Sequence, residues 1–149
     1  MTENMLSGKN FECFHAGDFN KLGQYVVDLP ADRIESKVFL KERMGLLGIE
    51  VSLGCMPAGT TFPIYHRHTN NDELYIFVKG RGQFQIDDKI FDVSEGSSVK
   101  ITPEAKRVWR NNGKEDLHYL CIQYDRRGPN IGNTFADAQI IEGKVVWPA

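Results

Sequence analysis

Residues 59–80 read GTTFPIYHRHTNNDELYIFVKG and hold both the fold signal and the candidate chemistry of this chain. Phe62, Pro63, Ile64 and Tyr65 point to an extended backbone, and the two-residue period of an extended segment puts His66 and His68 on one face. Thr69, Asn70, Asn71 and Asp72 form a turn-like polar cluster, after which Glu73 opens the apolar run Leu74, Tyr75, Ile76, Phe77, Val78, a strand by its residue types. Two imidazoles and a carboxylate thus converge at the mouth of a returning strand. Such a donor set suits zinc, iron, manganese, nickel or copper better than calcium, and it leaves coordination positions for water or substrate. Tyr75 and Phe77 share the parity of Glu73 and face the same interior, either as core or as walls of an apolar pocket for a small organic ligand.

Outward from this stretch the chain is a series of short strands with turns about every ten residues, the rhythm of a sandwich or barrel. Residues 83–86 and 90–93 alternate cleanly across Asp87, Asp88 and Lys89 and predict a hairpin. Residues 99–102, 108–110 and 117–124 predict further strands, and upstream residues 37–40 and 44–53 do the same, with glycines at the bends of a curved sheet. Phe19, Leu22, Tyr25 and Val26 have helical spacing for a turn or two, interrupted by Gly23, and Pro30, Asp32, Arg33 and Glu35 mark a loop. Residues 1–14 read as a loosely held arm. Residues 128–132 read as a loop, and residues 138–141 and 145–147 as a terminal hairpin. The expected division is 1–45 for arm and edge strands, 46–124 for the barrel and 125–149 for a C-terminal loop and hairpin, in one structural domain.

The pattern Gly59, His66-Arg67-His68, Glu73, Gly80 resembles the first motif of the cupin superfamily, with one residue more than usual between the glycine and the first histidine. Its second motif, a glycine followed by a proline, a glycine, a histidine and an asparagine, has a damaged counterpart in GSSVKITPEAKRVWRNN from Gly96. Gly96 and Pro103 are there, Ala105 replaces the inner glycine, Asn111 or Asn112 closes the motif, and the histidine that would be the fourth ligand is missing. Counting forward from Pro103 puts Val108 in its place, and counting back from Asn111 puts Arg107 there; the small bacterial cupins that this chain resembles favour Arg107. The resemblance covers roughly residues 46–124. It implies a double-stranded β-helix, a jelly-roll barrel, and a homodimer whose flanking segments cover sheet edges.

The resemblance assigns His66, His68 and Glu73 as ligands, with Glu73 holding the metal or moving a proton; His118, on a later strand, is either a possible extra ligand or a polar residue on a sheet face. Two classes of function follow. A metal-dependent enzyme of dioxygenase, lyase or isomerase type would use iron, zinc, manganese or nickel. If Arg107 points into the barrel, its guanidinium opposes a divalent cation, and the alternative is a non-catalytic binder of a small anionic metabolite, with Arg107, Tyr75, Phe77 and Trp109 as contact residues and no metal.

With 149 residues, 41% hydrophobic and 26% charged, the chain makes one core. A net charge of −2 gives no reason to expect nucleic acid or an anionic membrane as a partner. Cys13, Cys55 and Cys121 are too few and too widely spaced for a disulfide framework or a zinc cluster. Cys121 reads as core, Cys55 as core or lumen-facing, and His15 receives no role. No signal-peptide order and no membrane span is visible, so a cytoplasmic location is expected.

Overall fold

The structure is a computed structural model and describes residues 4–128, 135–143 and 145–149. The chain begins with β1 (Met5–Gly8) and β2 (Phe11–Phe14), a 3-10 turn at Phe19–Gln24, β3 (Val26–Asp28), β4 (Arg33–Glu35), β5 (Lys37–Phe39) and one helical turn, α1 (Lys41–Met44). The central strands are β6 (Ile49–Met56), β7 (His66–His68), β8 (Asn71–Lys79), β9 (Arg81–Ile86) and β10 (Lys89–Ser94). After these come β11 (Ser98–Ile101), β12 (Arg107–Arg110), β13 (Leu117–Asp125) and β14 (Ala138–Ile140). Ten of them form two five-stranded sheets, in the orders β10-β9-β12-β7-β14 and β11-β8-β13-β6-β5.

Alternation along the strands decides what lies between the sheets. On β13, Leu117, Tyr119, Cys121 and Gln123 are buried while His118, Leu120 and Ile122 are less so, and on β8 Glu73, Tyr75 and Phe77 take the inward parity. Tyr75, Phe77, Phe84, Trp109 and Tyr119 meet there as an aromatic core, each at most 2% exposed. Gly54 makes room for it, since a Cβ at that position would stand 2.2 Å from Cζ of Tyr119. A second, smaller cluster of Ala16, Leu22, Val38 and Cys55 packs on the outer face of the β11-β8-β13-β6-β5 sheet, under the N-terminal segment.

Several sequence expectations change. Residues 5–14 form the β1-β2 hairpin, and the expected loop around Arg33 and Glu35 holds β4, paired with β3. Residues 138–140 do form a strand, but not in a terminal hairpin: β14 pairs antiparallel with β7, setting Ile140 opposite His66 and Ala138 opposite His68. Residues 145–149 lie outside the strands, Lys144 is outside the described residues, and so is most of the loop expected at 128–132. Pairing statistics favour neighbours in sequence, and the open backbone edge of β7 outcompetes them here.

Gly80 ends the first motif for a steric reason. Its φ is +84° and a Cβ there would lie 2.5 Å from the carbonyl oxygen of Asp116. Gly96 has the same kind of backbone, φ +86°, with open space around it. Gly80→Ala is expected to lower the unfolding free energy by at least about 2 kcal/mol, left-handed strain plus overpacking, and Gly96→Ala by only about 1. Urea midpoints of the two variants check this, and equal losses would show that crowding at Asp116 is relieved at no cost.

Candidate metal centre

Two sheets deliver the site. His66 and His68 project from β7, Arg107 from the adjacent β12 in register with His66, and Glu73 from β8 of the opposite sheet. All four side chains are buried, with exposures of 7%, 4%, 0% and 1%. One ligand atom from each of His66, His68 and Glu73 can be chosen so that all lie within 4.8 Å of one another.

The two oxygens of Glu73 have different neighbours. Oε2 lies 2.9 Å from Nε of Arg107 and accepts a 3.2 Å hydrogen bond from the Tyr75 hydroxyl. Oε1 lies 3.0 Å from Nε2 of His68 and 3.6 Å from Sγ of Cys121. Burial pushes the Glu73 carboxyl up, but the His68 hydrogen bond and the Arg107 charge outweigh it and hold the group well below the usual carboxylate range. Glu73 is therefore an anion at neutral pH. The same carboxylate and burial push the Cys121 thiol up to about 12, so Cys121 is an inert core thiol.

Each imidazole is backed by an oxygen. Nδ1 of His66 lies 3.3 Å from the Ile64 carbonyl, which can only accept, so Nδ1 carries the proton and Nε2 keeps its lone pair in the neutral ring. Nδ1 of His68 lies 3.4 Å from Oδ2 of Asp137, at ion-pairing distance but without hydrogen-bond alignment. Asp137 is itself buried and accepts from the backbone amides of Asn70, at 2.9 Å and 3.0 Å, and Asn71, at 2.8 Å.

Burial holds His66 down to about 4 against the pull of Glu73. The unfolded chain binds that proton near 6.5, so this group's contribution is complete above that pH and is lost as the pH falls toward 4. Metal-free protein is expected to lose about 3 kcal/mol from this cause between pH 7 and pH 4. The depressed Glu73 acts lower, its contribution being present above the unfolded carboxyl value and lost as the pH falls through the folded one. Denaturant midpoints of wild type and His66→Asn across this range test the assignment; parallel curves would overturn it.

Arg107 occupies the place of the missing histidine and faces the interior. Its head donates to the carbonyls of Ala105 at 2.7 Å and, more weakly, of Pro103 and Thr102, both at 3.4 Å. Val108 lines a separate surface cavity with Tyr65, Ile140 and Trp147. The closing asparagine is Asn111, whose Nδ2 donates to Met56 and Glu115 carbonyls while its Oδ1 accepts from Gly113. Asn112 is exposed.

Beside the triad lies a cavity of about 110 Å³, with His66, His68, Glu73, Gln123 and Lys37 on its polar side and Leu29, Ile34, Phe62 and Ile64 among its apolar walls. Tyr75, Phe77, Trp109 and Arg107 do not line it and stand behind the walls, Trp109 stacked on Phe62 at 3.9 Å. His118 is not brought to the triad. Its parity on β13 turns it outward, where it stacks on Phe19 at 5.0 Å and groups with Cys55 and Asp116. Cys55, opposite His118 in register, likewise faces out, and burial with the Asp116 charge raises its thiol to about 11.

Sequence reasoning missed Lys37 and Asp137. Lys37 opens a short edge strand and is 4% exposed, with Nζ 5.1–5.8 Å from the ring centroids of Phe39, Phe62, Trp109 and Tyr119. Among the described residues it has no carboxylate at ion-pairing distance. Desolvating an ammonium costs several kcal/mol, and aromatic faces return about 2 kcal/mol where water is excluded. The parity of Lys37 with Phe39 was the available signal, but an edge-strand lysine is ordinarily a surface residue. Asp137 lies in a segment with no periodic pattern, so nothing marked it.

Comparison with known proteins agrees with this fold. The sequence description of the cupin domain matches residues 52–123. A crystal structure of a cupin protein from Bacteroides fragilis is 30% identical, with a TM-score of 0.58, over 74% of this chain and 89% of that one. An uncharacterised protein with a double-stranded β-helix domain from Klebsiella pneumoniae, 14% identical with a TM-score of 0.58 over 92% of this chain and 100% of that one, shares the fold alone. A curated protein of Methanocaldococcus jannaschii is 30% identical over 79 residues, 52% of this chain and 62% of that protein, so the chain spans less than two thirds of that relative. The jelly-roll barrel, the first motif with its ligand-type residues and the likeness to the Bacteroides protein place this chain in the cupin superfamily.

Proposed function

We propose that this protein is a metal-dependent cupin acting on a small organic molecule, with His66, His68 and Glu73 holding a divalent transition metal ion. The observation that carries the reading is the convergence of three buried donors: one ligand atom each of His66, His68 and Glu73 lies within 4.8 Å of the others, the Ile64 carbonyl at Nδ1 of His66 leaves its Nε2 free, and Nε2 of His68 is turned to Oε1 of Glu73 at 3.0 Å, a contact that a bound ion would replace. Ligating histidines are oriented by oxygen partners such as the Ile64 carbonyl. The donor set suits iron, zinc, manganese or nickel, and a bound ion would supply Lewis acidity or a more acidic bound water. Arg107 and Tyr75 secure one oxygen of Glu73, so that only Oε1 is offered to an ion or a transferred proton. Leu29, Ile34, Phe62 and Ile64 give the cavity apolar walls suited to the carbon skeleton of a small organic molecule.

The alternative, a binder of a small anionic metabolite without metal, is supported by Arg107 standing where a fourth ligand would be. Elemental analysis of untagged protein grown with added iron, zinc, manganese and nickel separates the two. The expected result is about one metal per chain in wild type and loss of it in the His66→Ala, His68→Ala double variant; absence from the wild type sinks the metal reading. The proposal also takes the protein as a cytoplasmic homodimer. Leu6 and Phe11 on the β1-β2 hairpin, 58% and 56% exposed, support the dimer, and sedimentation tests it.

A further inference from the structure

Lys37 contributes a cation to the cavity without a counter-ion. It lies on β5, outside the matched cupin segment, and the outward parity of Val38 turns Lys37 and Phe39 toward the interior. Its ammonium sits among Phe39, Phe62, Trp109 and Tyr119, which confine it sideways and supply no anion. Asp137 and Glu73, the acidic groups nearest the triad, are engaged by His68, by Arg107 and by the backbone amides of Asn70 and Asn71. A buried charge is stable when it is paired; Lys37 lines both this cavity and a second one shared with Tyr25, Glu42 and Arg43, and the former is the one it shares with the triad.

We propose that Lys37 is the anion subsite of the cavity and binds the carboxylate of a small organic acid whose other end reaches the His66, His68, Glu73 triad. Arg107, the cation expected from sequence to do this, is consumed by Glu73 and the carbonyls of residues 102–105. Gln123 assists. Its Oε1 accepts from Asn71, and its Nε2, which makes no hydrogen bond among the described residues, is left as a neutral donor on the same wall. A cavity of about 110 Å³ with one cation and mainly apolar walls matches a monoanion of a few heavy atoms, and it lacks the several cationic donors that gather around a phosphate dianion. This inference rests on the reading that the cavity beside the triad is the ligand site, though the ammonium requires an anion whether or not a metal is present.

The test is titration calorimetry of the full chain with acetate, pyruvate and malonate, and with pyruvamide as the uncharged counterpart of pyruvate. At least one carboxylate is expected to bind wild type, with pyruvamide at least tenfold weaker than pyruvate if pyruvate is that ligand. Lys37→Met and Lys37→Gln are expected to lose tenfold or more in carboxylate affinity while keeping wild-type metal content. Equal affinity for pyruvate and pyruvamide, retention of carboxylate binding in both variants, or no binding of any of the three acids to wild type would overturn the subsite. The charge comparison needs no variant, so it stands even if substitution impairs folding. Metal measured on the same samples keeps the two readings apart: metal without charge-selective binding defeats the subsite alone, and charge-selective binding without metal defeats the metal centre alone.

Discussion

Replacing Arg107 with leucine is expected to remove about 3–5 kcal/mol of stability, the effect of breaking a buried ion pair from one side. The guanidinium is wholly buried, its Nε stands 2.9 Å from Glu73, and its head satisfies carbonyls of residues 102–105. Leucine fills part of the volume but leaves Glu73 as a buried anion facing only His68, Tyr75 and Cys121. The carboxyl, deprived of a charge that lowers it, then titrates at higher pH than in the wild type. Adding Glu73→Gln to Arg107→Leu removes the stranded charge, so the double variant is expected to recover most of the loss. Guanidinium melts of the single and double variants measure this directly. A single variant within about 1 kcal/mol of wild type would mean that the pair is not what compensates Glu73.

Asp137→Ala is expected to be nearly as severe, at about 3–5 kcal/mol, because one buried carboxylate accepts hydrogen bonds from the amides of Asn70 and Asn71 and the side chain of Asn70. Charge-assisted bonds contribute about 1.5–3 kcal/mol each and are not additive. Besides the thermal loss, the variant should bind metal 10-fold to 100-fold more weakly, since His68 would lose the carboxylate that stands 3.4 Å from its Nδ1. Asp137→Asn separates the two effects. One amide oxygen still accepts from the turn while the NH2 faces the donors of the other carboxylate oxygen, so the stability loss should be smaller than in Asp137→Ala while metal affinity falls as far. If both variants hold metal as tightly as the wild type, Asp137 is a turn clamp and nothing more.

Most of the barrel was legible in the sequence because residue parity on β8, β9 and β13 translates directly into inward and outward faces, whereas on β10 only Val93 is buried. The triad was legible for the same reason, its residues lying close together in sequence around one turn. Arg107 could be narrowed only to two neighbours, since counting from Pro103 and from Asn111 gives different answers. The structure turns Arg107 to the triad and Val108 to a surface cavity. What escaped was contributed from afar. Residue parity alone cannot say whether Lys37 ends in solvent or among four rings. Nothing local tells that residues 138–140 pair with a strand about seventy positions earlier. His118 was misplaced because strand membership was read without its side.

The pairing of β14 with the histidine strand also has a consequence for biosynthesis. A chain made from its N-terminus emerges with both histidines long before residues 137–140 exist, so during translation the His66–His68 segment has a bare backbone edge and His68 lacks its carboxylate. The nascent barrel can collapse around its aromatic residues at that stage, but the surroundings of His68 are completed only once Asp137 has been added. In the metal-binding reading proposed above, His68 would therefore gain its full set of neighbours only after the rest of the barrel has been made.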